Sequence, residues 1–263
     1  MSLARTVQGS GPGLALAHGA GGGIAANYGP ILDALAAEHT VVGVDYPGTG
    51  ETPRAATPFE LDELADELVD AAVAEGLETF AISGYSLGTA VAVRAATRHP
   101  ERVTALVLTA PFARPDTHFR LAASIWSKLH ASGDHTLLAE FLLLLANSPA
   151  ALDSIPAADL AGVVHATAGS LPPGTPEHTE ILPRVDVRAD LARISVPTLV
   201  ISTTRDRLVP PSLHREVAAQ ITGARLAELD TGHLPFAERP ESWAKLITDF
   251  IAGAAGRARC AAT

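Results

Sequence analysis

Short apolar runs alternate along the chain with longer segments in which apolar residues recur at helical spacing. Residues 59–75 are typical of the longer segments, because Leu61, Leu64, Leu68 and Val73 fall along one stripe of a helix. Similar patterns predict helices over 28–38, 87–97, 212–221 and 238–254. The apolar runs predict strands over 3–7, 14–17, 41–44, 77–83, 103–108, 198–202 and 225–229. This alternation indicates an α/β fold, in which helices cover both faces of a mainly parallel sheet.

The alternation stops between residues 111 and 187, where no run has the pattern of a strand. Helical spacing recurs at 118–129 and 136–145, and Pro149 and Pro156 interrupt the segment that follows. We interpret residues 111–187 as a helical cap inserted between two strands of the sheet. The sequence thus predicts three parts: an α/β core (1–110 and 188–254), a helical cap (111–187) and a disordered tail (255–263).

Composition limits the partners and sites open to this chain of 263 residues, which is long enough for one large domain. A net charge of −10 argues against nucleic acid or an anionic membrane as a partner. Cys260 is the single cysteine, so neither an intramolecular disulfide nor a cysteine-based metal site can form. The apolar run 141–146 is too short to span a bilayer, and residues 1–13 lack a signal-peptide pattern. We therefore expect a soluble cytoplasmic protein, a monomer or homodimer, that acts on a small molecule.

The strongest chemical signal is the Gly-x-Ser-x-Gly motif from Gly84 to Gly88, which joins a predicted strand to a predicted helix. A serine at the apex of such a turn sits in a strained backbone with its hydroxyl projecting from the sheet. The two glycines suit the crowded junction because neither carries a Cβ atom. The motif therefore predicts that Ser86 is a nucleophile, and that the N–H of Leu87 forms half of an oxyanion hole.

A glycine-rich loop, 18–23, follows the predicted strand 14–17. It lacks both the Gly-x-x-x-x-Gly-Lys-Ser/Thr and the Gly-x-Gly-x-x-Gly patterns, which argues against a phosphate-binding loop. The alternative is a loop that brings a backbone N–H beside the nucleophile, and Ala20 is placed to supply it. His18 is open to a catalytic role, but we favour a histidine that braces the loop through hydrogen bonds.

A serine nucleophile needs a base within hydrogen-bond reach, and that base needs a third group to orient it. His233 and Asp206 both follow late strands, so a parallel sheet would bring them to the edge that carries Ser86. Along the chain, the order Ser86, Asp206, His233 is the order expected of a serine catalytic triad on this architecture. Asp230 and Asp116 are rival acids, but Asp230 is too close to His233 in sequence to come from a separate strand end.

With these motifs in place, the sequence resembles α/β-hydrolase-fold proteins of the capped esterase, lactonase and C–C hydrolase type. The resemblance implies a mostly parallel eight-stranded sheet, a Ser86/Asp206/His233 triad and a cofactor-free site between sheet and cap. Thr89 departs from the pattern, since many relatives have a second glycine there. Ser86 occupies the position of the aspartate nucleophile in haloalkane dehalogenases and epoxide hydrolases, which disfavours both reactions. The segments that carry the resemblance are 18–19, 45–50, 84–88, the Asp206 loop and 232–233.

The function expected from these residues is cofactor-independent hydrolysis of a small ester or lactone through an acyl-enzyme. C–C bond hydrolysis, thioester hydrolysis and the tailoring of a secondary metabolite remain open, because all use the same triad chemistry. A binding protein with weak hydrolase activity is the alternative from another class, since fold does not fix function. Candidate pocket residues are Tyr85, Trp126, Phe141 and Leu234. We expect no metal site.

Overall fold

In the computed structural model, a seven-stranded sheet forms the centre of the molecule. The structure describes the backbone of residues 3–261 and the side chains of residues 3–256. The strand order is β1-β3-β2-β4-β5-β6-β7. β1 runs antiparallel to β3, and all other neighbours are parallel. The strands are β1 (Ala4–Gln8), β2 (Gly13–Ala17), β3 (Thr40–Asp45), β4 (Phe80–Tyr85), β5 (Val103–Thr109), β6 (Thr198–Thr203) and β7 (Arg225–Leu229).

All seven apolar runs that predict strands are strands, and the α/β class is confirmed. The count of eight, which came from the family resemblance, is corrected to seven for the described residues. The number of strands is lower at the N-terminal edge of the sheet. There, β1 is the single strand that precedes β2 in the described chain, and it pairs with β3.

Of the seven helices that the described residues form outside the inserted segment, five lie close to their predicted positions, and two short ones (188–191 and 235–238) were not predicted. The first begins four residues early, directly after the glycine-rich loop. These helices are α1 (Ile24–Ala36), α2 (Leu61–Ala74), α3 (Leu87–Arg98), α9 (Arg188–Leu191), α10 (Pro211–Gln220), α11 (Pro235–Glu238) and α12 (Pro240–Ala261).

Two apolar layers cover the sheet, one on each face. Helices α1 and α12 pack on one face, where Leu14 and Leu16 point from β2. Helices α2, α3 and α10 pack on the other face, where Ala15 and Ala17 point. Successive side chains of a strand alternate between faces, so one short apolar run supplies both layers. This packing fixes the carboxyl ends of the parallel strands, and the loops that follow them, along one edge.

The segment between β5 and α9 is helical throughout its regular elements, and contains no strand within the described residues. Three of its helices were not predicted: α7, and also α6 and α8, whose prolines look like breaks. Pro149 and Pro176 lie in the first turn of α6 and α8, where a missing N–H costs nothing. The elements are α4 (Thr117–Ser132), α5 (His135–Ala146), α6 (Pro149–Asp153), α7 (Leu160–Gly169), α8 (Thr175–Ile181) and a 3-10 helix (Leu182–Arg184).

Helix α12 extends into the segment 255–263 that the sequence predicts to be a disordered tail. The structure differs from that prediction over 255–261, which continue the helix to Ala261. The physical reason is composition, since alanine and arginine are strong helix formers. Residues 262 and 263 lie outside the described part of the chain. No helix among residues 3–261 is both long and apolar enough to cross a membrane.

Candidate active site

Ser86 lies at the junction of β4 and α3 in a strained backbone conformation, with φ of 51° and ψ of −118°. Three hydrogen bonds hold this conformation. The Ser86 N–H donates to the Thr109 carbonyl (3.0 Å), and the Ser86 carbonyl accepts from the Thr89 N–H (2.9 Å) and hydroxyl (2.6 Å). Thr89, which departs from the family pattern, therefore adds a bond that stabilises the strained turn.

The two glycines of the motif are required by backbone contacts. A Cβ atom on Gly84 would overlap the carbonyl oxygen of Gly88, and one on Gly88 would overlap that of Ala17. Backbone atoms cannot rotate away as a side chain can, so only glycine fits both positions. The contacts press the start of α3 against β2 and β4, which presents residue 86 above the edge of the sheet.

The structure brings Ser86, His233 and Asp206 into one hydrogen-bonded chain. His233 Nε2 lies 3.0 Å from Ser86 Oγ, and His233 Nδ1 lies 2.6 Å from Asp206 Oδ2. All three residues are at most 5% exposed. The loop of His233 is fixed by its own N–H, which donates to the Ala146 carbonyl (2.6 Å), and by its carbonyl, which accepts from the Tyr85 hydroxyl (2.8 Å). This geometry suits proton transfer from the serine to the imidazole.

Hydrogen bonds hold the Asp206 side chain so that its carboxyl group faces the imidazole. Its Oδ1 accepts the N–H groups of Leu208 (2.9 Å) and Val209 (2.8 Å), and its Oδ2 also accepts from the Thr203 hydroxyl (2.9 Å). With both oxygens anchored, the carboxylate cannot turn away from His233, so the imidazole keeps one orientation.

The rival acids lie elsewhere. Asp230 is exposed and bonded to Arg205 (2.7 Å), and that hydrogen bond lowers the pKa of the Asp230 carboxyl. Asp116 caps α4 by accepting the Phe119 N–H (2.8 Å). Neither carboxylate contacts His233.

A second histidine lies behind Asp206. His214 is fully buried on α10, with Nδ1 3.1 Å from Ser202 Oγ and Nε2 3.9 Å from Asp206 Oδ2. Its Nε2 has no hydrogen-bond partner in the part of the chain that the structure describes. Burial lowers the pKa of His214 to about 4, so the ring is neutral at neutral pH. The sequence carries no signal for this residue, because its neighbours in sequence are an ordinary amphipathic helix.

The glycine-rich loop comes beside Ser86 as the sequence predicts. Ala20 lines the cavity above the serine, and Leu87 is the first residue of α3. The N–H groups of both residues donate no backbone hydrogen bond to the rest of the described chain. They are thus available to a ligand atom placed between the loop and the helix N-terminus.

His18 braces the loop, as the sequence favours. Its Nε2 accepts the Tyr46 N–H (3.0 Å), which leaves the proton on Nδ1 to be donated to the Gly19 carbonyl (2.8 Å). Burial, followed by the nearby His178, lowers the pKa of His18 to about 3. A neutral ring with both nitrogens bonded within the core has no free position for catalysis.

His178 is a functional candidate that sequence reasoning missed. It comes from α8 of the inserted segment, is fully buried, and bridges two loops of the core. Its Nδ1 accepts the Gly21 N–H (3.1 Å), so its Nε2–H donates to the Pro47 carbonyl (3.0 Å). Burial lowers the pKa of His178 to about 4. The inserted helices therefore hold the loop that carries Ala20, an arrangement that no local pattern reveals.

A cavity of about 360 Å³ opens above Ser86, between the sheet edge and the inserted helices. Tyr85, Trp126 and Leu234, three of the four predicted pocket residues, line it. Phe141, the fourth, does not: it is half-buried and packs against the core, while the next two residues, Leu142 and Leu143, face the cavity. The sequence could not predict which residues of α5 line the pocket, because nearly all residues of this run are apolar and composition does not show which face of the helix is turned to the cavity.

The cavity lining carries no aspartate, glutamate, lysine or arginine side chain. Within the described residues, no group of three or more histidine, cysteine, aspartate or glutamate side chains is arranged to hold a metal ion. The polar groups of the site are thus the serine hydroxyl, the imidazole, a few amides and hydroxyls, and backbone N–H groups.

Comparisons with known proteins identify the family and the fold. A family model described as the alpha/beta hydrolase fold matches residues 14–240. Pyrrolizixenacetamide deacetylase from Xenorhabdus hominickii is 33% identical over 247 residues, which cover 93% of this chain and 92% of the relative. The pimeloyl-[acyl-carrier protein] methyl ester esterase of Neisseria meningitidis serogroup C is 34% identical over 86% of this chain and 88% of its own. The enol-lactonase from Burkholderia xenovorans LB400 superposes with a TM-score of 0.80 at 25% identity, covering 95% of this chain and 96% of the other.

Proposed function

The chain belongs to the alpha/beta hydrolase family and is a hydrolase, and from that premise we propose that it cleaves a small carboxylic ester or lactone through an acyl-enzyme on Ser86. The observation that carries the proposal is the pair of hydrogen bonds that link Ser86 Oγ to His233 and His233 to Asp206. They lie at the floor of a cavity whose lining has no aspartate, glutamate, lysine or arginine side chain. No step requires a cofactor.

In the proposed reaction, His233 Nε2 takes the proton as Ser86 Oγ attacks the ester carbonyl. Asp206 keeps the other proton on Nδ1 and stabilises the imidazolium. When the tetrahedral intermediate collapses, His233 returns its proton to the leaving alcohol. Water then attacks the acyl-enzyme with His233 as base, and the acid is released as Ser86 regains its proton.

The oxyanion formed in each half-reaction has two donors available, the N–H groups of Ala20 and Leu87. Such donors are worth about 3–4 kcal/mol each, because they point in advance at the developing charge. The positive end of α3 adds to this stabilisation, since its first turn faces the same point.

The relatives support the class of bond. The Neisseria protein is named as a methyl ester esterase and the Burkholderia protein as an enol-lactonase, so both act on carboxylic esters. The Xenorhabdus relative is named as a deacetylase and matches nearly the whole chain, which favours removal of an acetyl group from an amide as a second candidate. Both candidates proceed by acylation of Ser86.

A series of p-nitrophenyl esters of increasing acyl length tests the proposal and measures the pocket. The lining is mostly apolar, so each methylene that enters should raise kcat/KM by about fourfold, from about 0.8 kcal/mol of burial. The gain should stop when the cavity of about 360 Å³ is full, and longer chains should react more slowly. No turnover of any ester in the series would contradict an esterase.

His178→Leu tests the link between the inserted helices and the oxyanion hole. The change removes the acceptor of the Gly21 N–H, so the loop that carries Ala20 loses its fixed position. We expect kcat for an ester to fall by about 10-fold, with KM less affected, because the loop donor acts chiefly on the transition state. His165→Leu, an exposed change on α7, is the control. An unchanged kcat in the His178→Leu variant would contradict the role of His178 in positioning the loop that carries Ala20.

A further inference from the structure

Asn27 lies in the first turn of α1 and is 6% exposed. Its Oδ1 accepts the Gly19 N–H at 3.0 Å, which fixes the orientation of the side-chain amide. Gly22 packs against the same amide, and a Cβ atom there would lie 2.8 Å from Nδ2 and closer still to Oδ1. Asn27 also lines the cavity above Ser86. With Oδ1 committed to the loop, the Nδ2 donors are left to face the cavity.

Apart from the Trp126 indole, the other donor side chains that line the cavity are engaged in hydrogen bonds within the described chain. The Trp126 indole N–H has no partner in the described chain but is sealed from the cavity, because Nε1 is fully buried. Asn27 Nδ2 has no hydrogen-bond partner among residues 3–256, and it is not sealed off in this way. The engaged donors are the Tyr85 hydroxyl to the His233 carbonyl (2.8 Å), Asn147 Nδ2 to Leu143 (3.0 Å), the Thr167 hydroxyl to Val163 (2.9 Å) and the Ser170 hydroxyl to Thr167 (2.9 Å).

An unpaired amide donor at a nearly buried position calls for an acceptor from the ligand. The lining holds no charged side chain, so an ionised group on the ligand would be left without a counter-charge. The acceptor that fits is therefore a neutral oxygen, such as a carbonyl, an ether or a hydroxyl.

The acceptor must lie close to the reacting carbonyl. Asn27 is bonded to Gly19, and a Cβ atom on Gly19 would be 3.3 Å from the Ser86 Cβ. Ala20, the proposed oxyanion donor, is the next residue. A group held by Asn27 Nδ2 thus sits within the first few atoms of the chain attached to the scissile carbonyl.

From this geometry we propose that Asn27 is a specificity-determining residue that selects uncharged acyl groups with a second, hydrogen-bond-accepting oxygen near the scissile carbonyl. The proposal rests on the proposed function, because it assumes that the acyl group occupies the cavity above Ser86. The proposal adds the class of acyl group that the enzyme selects. Neither the hydrogen bonds among Ser86, His233 and Asp206 nor the relatives identify that class.

The test uses two p-nitrophenyl esters of the same length and shape, the methoxyacetate and the butanoate. They differ by one ether oxygen in place of a methylene. The ratio of kcat/KM for the two esters is measured for the wild type and for Asn27→Leu. Comparing the two ratios cancels the intrinsic reactivity of each ester and any general loss from the broken bond to Gly19. We expect the preference for the methoxyacetate to fall by about 3- to 10-fold in Asn27→Leu.

Asn147→Leu is the matched control, because it removes a cavity amide whose Nδ2 is already bonded to Leu143. It should leave the ratio unchanged. If Asn27→Leu does not fold, Asn27→Asp keeps an acceptor for the Gly19 N–H while removing the donor, and its ratio should fall in the same direction. Equal losses on both esters in a folded Asn27 variant would overturn the recognition role and leave the esterase proposal standing. Absence of wild-type turnover on both esters would overturn both proposals.

Discussion

Replacement of Ser86 by alanine is expected to lower ester turnover by about 10⁴- to 10⁶-fold. The variant keeps the cavity, His233 and Asp206, but loses the atom that forms the acyl-enzyme. The residual rate would come from substrate binding and from the oxyanion donors acting on direct attack by water. A p-nitrophenyl ester assay at saturating substrate measures the loss in kcat directly.

The fold should survive this change. Ser86 Oγ is bonded to His233 alone within the described residues, and the three hydrogen bonds that hold the turn use backbone atoms of residue 86. The matched control is Ser83→Ala in β4, a buried serine whose hydroxyl lies 3.3 Å from the Tyr28 hydroxyl, away from the cavity. It should keep turnover within a few-fold. A folded Ser86→Ala variant with more than about a tenth of the wild-type rate would exclude the serine as nucleophile.

The second large effect is a loss of stability in mild acid. His18, His178 and His214 are buried and neutral, and burial lowers their pKa values to about 3, 4 and 4, respectively. In the unfolded chain a histidine titrates near pH 6.5. Between these values the unfolded state binds more protons, so the free energy of unfolding falls as pH falls from about 6.5 toward 4.

The size of this effect approaches the whole stability of a domain. Each of the three histidines should cost about 3 kcal/mol by pH 4, against a typical total of about 5–15 kcal/mol. We therefore expect the protein to unfold between about pH 4 and 5. Carboxylates with lowered pKa values, such as Asp66 and Asp186, act in a separate window: they stabilise the fold above about pH 4 and lose that contribution below it.

Urea unfolding at a series of pH values between 7 and about 4.5 tests this account. His214→Leu should flatten the pH dependence by close to one proton, because a buried neutral histidine is removed from the linkage. His165→Leu, at an exposed position, should leave the slope unchanged. A free energy of unfolding that stays constant from pH 6.5 to 4.5 would contradict the assignment of three buried neutral histidines.

Much of the sheet and of the candidate site could be predicted because their signals are local. A strand of the sheet is one apolar run, and the turn at Ser86 is five residues whose glycines are demanded by backbone contacts. His233 and Asp206 follow strands that end at the same edge, so topology alone brings them near the serine. The structure then supplied the 2.6 and 3.0 Å hydrogen bonds that join the three residues.

The features that escaped prediction depend on contacts between distant segments. His178 lies 157 residues from Gly21, and only the docking of α8 reveals their bond. Phe141 and Leu142 are equally apolar neighbours, and the packing of α5 decides which one faces the cavity. Asn27 is a shorter-range case, because it carries no motif and only the folded loop brings its amide to a glycine N–H eight residues earlier. Long-range packing, which pattern reasoning cannot see, shapes the pocket.

The most direct test of the central claim is to trap the acyl-enzyme. The wild type is mixed with p-nitrophenyl acetate, quenched with acid during the first turnovers and analysed by peptide mass spectrometry. We expect one acetyl group on the peptide that contains Ser86, assigned by fragmentation to that serine and absent from Ser86→Ala. Release of p-nitrophenol with no acyl group on Ser86, or with the acyl group on another residue, would contradict it.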